Sequence, residues 1–290
     1  MKHWTPSGAL LLAAALALSL SACGASEPVP EEILDRTEEN IGESLNSLST
    51  TVSAQIDLEL LLEDQPKTLS FNSVLDSISF SEPFKIWADT TLSLNGRQLA
   101  VVTVYAQQEE EDYPLYIYRN GQWIRETADP AMVQDYQSAS GGMSTYFQGV
   151  ENWTYQEKTE LDGQTFLVFT GTLNDSLVSA LLENNGISLS LEFLYQLGAD
   201  PGQVQTLLEA PGEATIEMWI DPDLCYPVRY RLDIAGPINT ALDPVFQALD
   251  TLLPTDSGDT IRYSQAEIIM SYSHLNAAPD FTIPQEALEA

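Results

Sequence analysis

The chain has 290 residues, of which 43 are acidic and 11 basic, giving a formal charge of −32, and 44% are hydrophobic. A charge of that sign and size repels phosphate backbones and anionic membrane surfaces, which excludes nucleic-acid binding. The apolar content is ample for a core.

The N-terminus combines a basic start at Lys2, an apolar block over residues 9–20, and Leu20-Ser21-Ala22-Cys23 followed by the small residues Gly24, Ala25 and Ser26. That is the pattern of a secretion signal ending in a cysteine. The apolar block is shorter than the roughly 20 residues of a spanning helix, and no basic cluster follows it. Leu20, Ser21 and Ala22 before Cys23 resemble the lipobox of bacterial lipoproteins. The resemblance implies cleavage of residues 1–22, a diacylglyceryl group on Cys23, and a tether over residues 23–29 that holds the protein on the extracytoplasmic face of a cell membrane. Two acyl chains suffice for such an anchor, since each buried methylene contributes about 0.8 kcal/mol. The remaining 268 residues carry 43 acidic against 10 basic side chains, because the signal holds Lys2 and no acid. They read as one domain over residues 30–290, and as a monomer.

Once Cys23 is acylated, Cys225 is a lone thiol, expected as a small buried residue at the start of a strand. His274 is the one histidine beyond the signal. One histidine and one cysteine cannot build the usual zinc site, and a Ser-His-Asp triad would rest on His274 alone. The chain has neither a G-x-S-x-G elbow nor a Gly-rich phosphate loop. Asp221-Pro222-Asp223 and the acidic run 109–112 lack the spacing of an EF-hand. The sequence therefore reads as non-enzymatic, with no metal and no cofactor.

Along residues 30–49 the positions Leu34, Thr37, Ile41, Leu45 and Leu48 recur at three- and four-residue steps, the face of an amphipathic helix. Pro30, Glu31 and Glu32 suit its first turn, and Gly42 weakens it without ending it. At Thr50 the period changes to two: Val52, Ala54, Ile56, Leu58, Leu60 and Leu62 alternate with polar residues, predicting a long strand buried on one face. Strands follow over 67–77, with a bulge expected near Asn72 and Ser73, over 84–94, and over 98–107. Asn95-Gly96 and Asn120-Gly121 mark two hairpins, the second joining the aromatic strands 114–119 and 122–126. A helical stretch from Asp129 breaks at Ser140-Gly141-Gly142 and resumes weakly through Tyr146, Phe147 and Val150. Two strands, 153–160 and 164–172, precede three Leu-rich helical runs between Leu173 and Glu209. Strands resume at 214–220 and 226–234, a short helix carries Val245 to Leu253, and a strand over 260–275 closes the chain.

Consecutive strands with helices gathered elsewhere imply an α+β antiparallel architecture. A large sheet with one apolar face must curl and cover that face, and the N-terminal helix and Leu-rich segments are the available covers. The order of elements resembles the LolA-like and LppX-like superfamily of bacterial envelope lipoproteins. The residues that carry the likeness are the helix-then-strand opening over residues 30–62, Tyr116-Ile117-Tyr118-Arg119-Asn120-Gly121-Gln122-Trp123, Met218-Trp219-Ile220-Asp221, Tyr226-Pro227-Val228, and the ending with Asn276, Ile283-Pro284 and Glu286. The resemblance implies an antiparallel half-barrel wrapped over helices, in which several members carry a lipid or lipoprotein under the sheet.

The expected site is a hydrophobic cavity there. Leu58, Leu60, Ile86, Leu92 and Ile117 would line the sheet side, and Leu181, Leu182, Phe193 and Leu194 a mobile lid. An apolar lining suits an acyl chain because no buried donor or acceptor is left unpaired. The competing expectation is a partner-binding surface built on Tyr116, Tyr118 and Trp123; their burial would favour the carrier, and their exposure as one cluster the docking surface.

Overall fold

Strand β1 (Ser47–Leu62) is the spine of the computed structural model, pairing with the last strand on one side and the next on the other. The structure describes residues 29–42, 45–62, 65–110, 112–128, 141–161, 163–178, 213–237 and 260–290. After β1 come β2 (Gln65–Phe80), β3 (Lys85–Leu94), β4 (Arg97–Gln107), β5 (Pro114–Arg119) and β6 (Gln122–Thr127). Then follow β7 (Thr154–Leu161), β8 (Gln164–Thr172), β9 (Thr215–Asp221), β10 (Tyr226–Asp233) and β11 (Thr260–Ser273). All eleven form one antiparallel sheet in the order β6-β5-β4-β3-β2-β1-β11-β10-β9-β8-β7. The edges β6 and β7 do not pair with each other, so the sheet is an open, curled half-barrel.

Period-two alternation assigns each strand residue to a face, and the register carries the assignment across the sheet. Val52, Ala54 and Ile56 sit opposite Met270, Ile268 and Ala266. Met270 and Ile268 face Tyr230 and Leu232, which face Met218 and Ile216. This inner face is the core over β8–β11: Met218, Ile220, Tyr230 and Leu232 are fully buried.

Two helices cover that half. In α1 (Pro30–Gly42) the buried positions Ile33, Thr37 and Ile41 lie one turn apart, and Thr37 Oγ1 donates to Ile33 O at 2.8 Å. Its end is pinned to the β9–β10 turn: Asn40 Nδ2 donates to Leu224 O and Cys225 O, and Tyr226 OH donates to Asn40 O at 2.9 Å. The second helix, α2 (Gly141–Gln148), buries Met143 and Phe147, and Tyr230 OH donates to Met143 O at 3.1 Å. Burial pushes the Tyr230 and Tyr272 phenols well up, so both stay neutral in the core.

Several expectations are corrected. The first helix stops at Gly42, where it was expected to run to residue 49, because Leu45 and Leu48 are buried by the sheet and β1 already starts at Ser47. Gly42 does end the helix. No bulge interrupts the pairing at Asn72 and Ser73; register shifts fall between Asp57 and Leu58 against β11, between Leu92 and Ser93 against β4, between Pro227 and Arg229 against β9, and between Tyr155 and Glu157 against β8. The helix resumes at Gly141, the first residue of α2, and the stretch before it, residues 129–140, lies outside the described residues. The helical stretches expected over 129–140 and 245–253, and all but the start of the Leu-rich runs, lie outside the described residues.

The C-terminal tail crosses the outer face. Asn46 N donates to Asn276 Oδ1 at 2.6 Å and Asn276 N to Ser47 O at 2.8 Å. Lys85 pairs with Asp280, and this contact holds the Asp280 carboxyl below the usual range. Phe281 lies 6.1 Å from Phe80 and 5.9 Å from Tyr105, ring to ring. The short α3 (Gln285–Leu288) then seats against β5 and β6, with Ala287 buried.

Candidate site on the inner sheet face

The inner face does not end at β1. Through the β1–β2 register Val52 and Ala54 face Leu75 and Ser73; these face Thr90 and Leu92 on β3, and Leu92 and Thr90 face Ala100 and Val102 on β4. Val102 and Val104 in turn face Arg119 and Ile117 on β5. One continuous surface thus runs from the buried core to β5.

Its exposure changes along the way. Phe71 is 44% and Leu92 41% exposed, while Leu75, Ala88, Val102, Val104 and Ile117 are half-buried. The lower end closes over a small second core in which Ile86 and Leu115 pack on Phe84 and Ala106. On β2–β5, among the described residues, the inner-face positions carry no charge except Lys67, Arg97 and Arg119 at the hairpin ends. Polar positions are hydroxyls, Ser73, Ser77, Ser79 and Thr90; Ser77 Oγ donates to Thr50 O at 3.4 Å. Acids stand instead on the outer face, where Asp76 accepts from Thr51 and Asp89 from Thr103, each at 2.6 Å, and where Arg231 pairs with Glu217 and Glu267.

Five of the residues expected to line the cavity bear on this surface. Ile86, Leu92 and Ile117 lie on the inner face, and register positions 58 and 60, opposite Leu69 and Lys67, fall on it too. The side chains of Leu58 and Leu60 lie outside the described residues, as do Leu181, Leu182, Phe193 and Leu194 and the lipobox Leu20, Ser21, Ala22 and Cys23. Periodicity alone did not single out Phe71 or Val102, nor Lys67, Arg97 or Arg119. Counting by twos from the Asn95-Gly96 and Asn120-Gly121 turns would have found them.

Two clefts among the described residues lie elsewhere, the second of them against α1 and α2. One of about 360 Å³ is lined by Glu151, Asn152, Thr172, Leu173, Asn174 and Asp175. Its neighbour of about 410 Å³ shares Glu151 and Asn152 and adds Asp35, Glu38 and Trp153. Carboxylates and amides line most of the first, while the second mixes them with Leu34, Phe147, Val150 and Trp153.

Other candidates have structural duties. Cys225 is fully buried just before β10, as expected, with its thiol pushed up by burial. Asp221 Oδ1 accepts from the N–H groups of Asp223 and Leu224 and closes the β9–β10 turn. His274 is exposed past the end of β11, its Nδ1 3.2 Å from Ser273 Oγ. The hairpin aromatics divide: Tyr116 is 2% and Tyr118 37% exposed, and the half-buried Trp123 lies 5.0 Å from Tyr118 and 5.9 Å from Tyr105 on the outer face.

No protein-family model matches the sequence, and no curated protein matches it. Among solved structures the chain is similar to LprF from Mycobacterium bovis, at 15% identity over 89% of this chain and 98% of that one, with a TM-score of 0.45. It is also similar to the Mycobacterium tuberculosis lipoprotein LppX, at 14% identity over 87% and 99% of the two chains and a TM-score of 0.41. The fold itself is read from the sheet, an open antiparallel half-barrel. A putative outer membrane lipoprotein-sorting protein domain from Vibrio parahaemolyticus is a more distant likeness, at 8% identity over 83% and 88% of the chains and a TM-score of 0.22. These are likenesses of fold; what the half-barrel can hold follows from its own inner face. Among the described residues no helix is long and apolar enough to cross a membrane.

Proposed function

We propose that this half-barrel is a non-enzymatic envelope lipoprotein that shelters an acyl chain on the inner face of β2–β5. The observation that carries the reading is that face: apolar and hydroxyl side chains, charge only at hairpin ends, and Phe71 and Leu92 left open beside a fully buried core. Each methylene laid against it gains about 0.8 kcal/mol. A chain segment of about ten methylenes would therefore be held firmly even after the cost of ordering it. The same proposal takes residues 1–22 as signal, Cys23 as the diacylated anchor, 23–29 as tether and 30–290 as the monomeric carrier domain, outside the cytoplasm.

Two outcomes are expected. In cells fed a radiolabelled fatty acid, the intact chain takes up label and Cys23→Ser does not; equal labelling of both removes the anchor. The secreted Cys23→Ser chain, stripped of lipid, takes up a fluorescent fatty acid with enhanced emission. Emission unchanged at saturating probe removes the carrier reading.

A further inference from the structure

Two hairpins of the sheet carry the same turn. Asn95-Gly96 joins β3 to β4, and Asn120-Gly121 joins β5 to β6. Both residues of each turn have positive φ, all four are exposed, and a side chain built on either glycine would meet nothing within 4 Å. Asparagine before glycine is open to a spontaneous reaction in which the glycine nitrogen attacks the side-chain amide carbon, because glycine has no Cβ to obstruct the approach.

What differs is how each turn is held. Asn95 N–H donates to Ser70 O and Ser70 N–H donates to Asn95 Oδ1, both at 2.8 Å, so backbone and side chain are tied to β2. Its hairpin is also flanked on both sides, by β2 and β5. The Asn120 side chain forms no hydrogen bond among the described residues. Its hairpin ends the sheet: β6 pairs with β5 alone, and the β4–β5 pairing stops at Arg119, the residue before the turn.

From this contrast we infer that Asn120 is a site of spontaneous deamidation and isoaspartate formation, and that Ser70 protects Asn95 from the same reaction. The bond from Gly121 N to Asn120 Cγ forms and the Cγ–Nδ2 bond breaks. The Gly121 amide proton leaves with Nδ2 as ammonia, and a succinimide ring remains. Water then opens the ring at either carbonyl, giving aspartate or isoaspartate with no change of oxidation state. Ring closure takes the asparagine out of the left-handed backbone of the turn, so the hairpin end must open first, which is easiest at an exposed tip on a sheet edge. At Asn95 the same opening also breaks both hydrogen bonds to Ser70, together worth about thirtyfold. Isoaspartate routes the main chain through its side chain and so lengthens a two-residue turn by a methylene, next to the Arg119–Gln122 pair that closes the β5–β6 ladder. Ageing at Asn120 therefore acts on the hairpin against which α3 is seated.

The test follows the secreted Cys23→Ser chain in mildly alkaline buffer at physiological temperature, by peptide mapping after an acid quench. The mass gain of amide-to-acid conversion is scored at each Asn-Gly pair, Asn185-Gly186 outside the described residues included, and isoaspartate is detected by enzymatic methylation. A parallel sample in concentrated urea gives the rate of each pair without the fold. In the folded chain Asn120 converts about thirtyfold faster than Asn95. In urea the two rates converge, and the product at Asn120 is a mixture of isoaspartate and aspartate.

Equal rates at Asn95 and Asn120 in the folded chain overturn the protection by Ser70. A ratio that persists in urea assigns the difference to local sequence and overturns the role of the fold. A folded chain in which Asn120 stays intact while both residues convert in urea overturns the site. Aspartate without isoaspartate overturns the succinimide route.

Discussion

Aspartate at Leu92 and Val102 abolishes fatty-acid uptake by the lipid-free chain, a loss of at least a hundredfold, and leaves the fold intact. Both positions lie on the inner face, on neighbouring strands, where an acyl chain would cover them. A covered carboxylate must shed water, and even partial desolvation costs several kcal/mol; position 92 carries the loss, because its cross-strand neighbours Ser73 and Ala100 offer no cation, whereas Arg119 faces position 102. Because Leu92 is already 41% exposed, the unliganded protein tolerates the charge, and circular dichroism and melting change little. The control is Val74→Asp. Val74 is 40% exposed, as open as Leu92, and pairs with Thr91, so it sits on the outer face of the next strand. Uptake by Val74→Asp equals that of the parent. Equal losses in the inner and outer variants would mean that the assay reads general hydrophobicity and not this face.

The second large effect is on stability. Leu232→Ala lowers it by about 2–5 kcal/mol, a fall in melting temperature of the order of 10 °C. Leu232 is fully buried, set between Ile268 on β11 and Ile216 on β9, so truncation leaves a cavity that rigid strands on both sides cannot close. Leu224→Ala, at a position 54% exposed in the β9–β10 turn, shifts the melting temperature by a small fraction of that. A Leu232→Ala melt indistinguishable from the parent would place the core elsewhere than under α1 and α2.

Much of this architecture is legible in the sequence for definite reasons. The change of period at residue 50 located β1 to within three residues, because a strand with one buried face leaves a two-residue signature that no helix shares. Both Asn-Gly turns are hairpins with positive φ at each residue, 49° and 75° at 95–96 and 54° and 80° at 120–121, the backbone only such residues accept readily. Where the sequence misled, two signals overlapped. Leu45 and Leu48 continue the helical spacing of Leu34 and Ile41 but are buried by the sheet, so a heptad-like pattern ran across a helix end.

The site was legible in part. Alternation places positions 58, 60, 86, 92 and 117 on apolar faces, but it cannot say that these are the same face; that depends on register through three strand pairs. Nor does the one-dimensional string separate the buried half, under α1 and α2, from the open half over β2–β5. Leu232 and Leu92 look alike in sequence, yet one is sealed and the other 41% exposed. Lys67, Arg97 and Arg119 were hidden for the opposite reason, since three basic residues scattered over 53 positions draw no notice among 43 acids until the register places each of them on the inner face.

The most direct measurement is native mass spectrometry of the secreted Cys23→Ser chain, purified without detergent from the cells that make it. A population heavier than the bare chain by the mass of one acyl lipid, released by solvent extraction and missing from the Leu92→Asp/Val102→Asp variant, is the predicted result. A single peak at the bare mass that stays unshifted after incubation with anionic and zwitterionic lipids would contradict it.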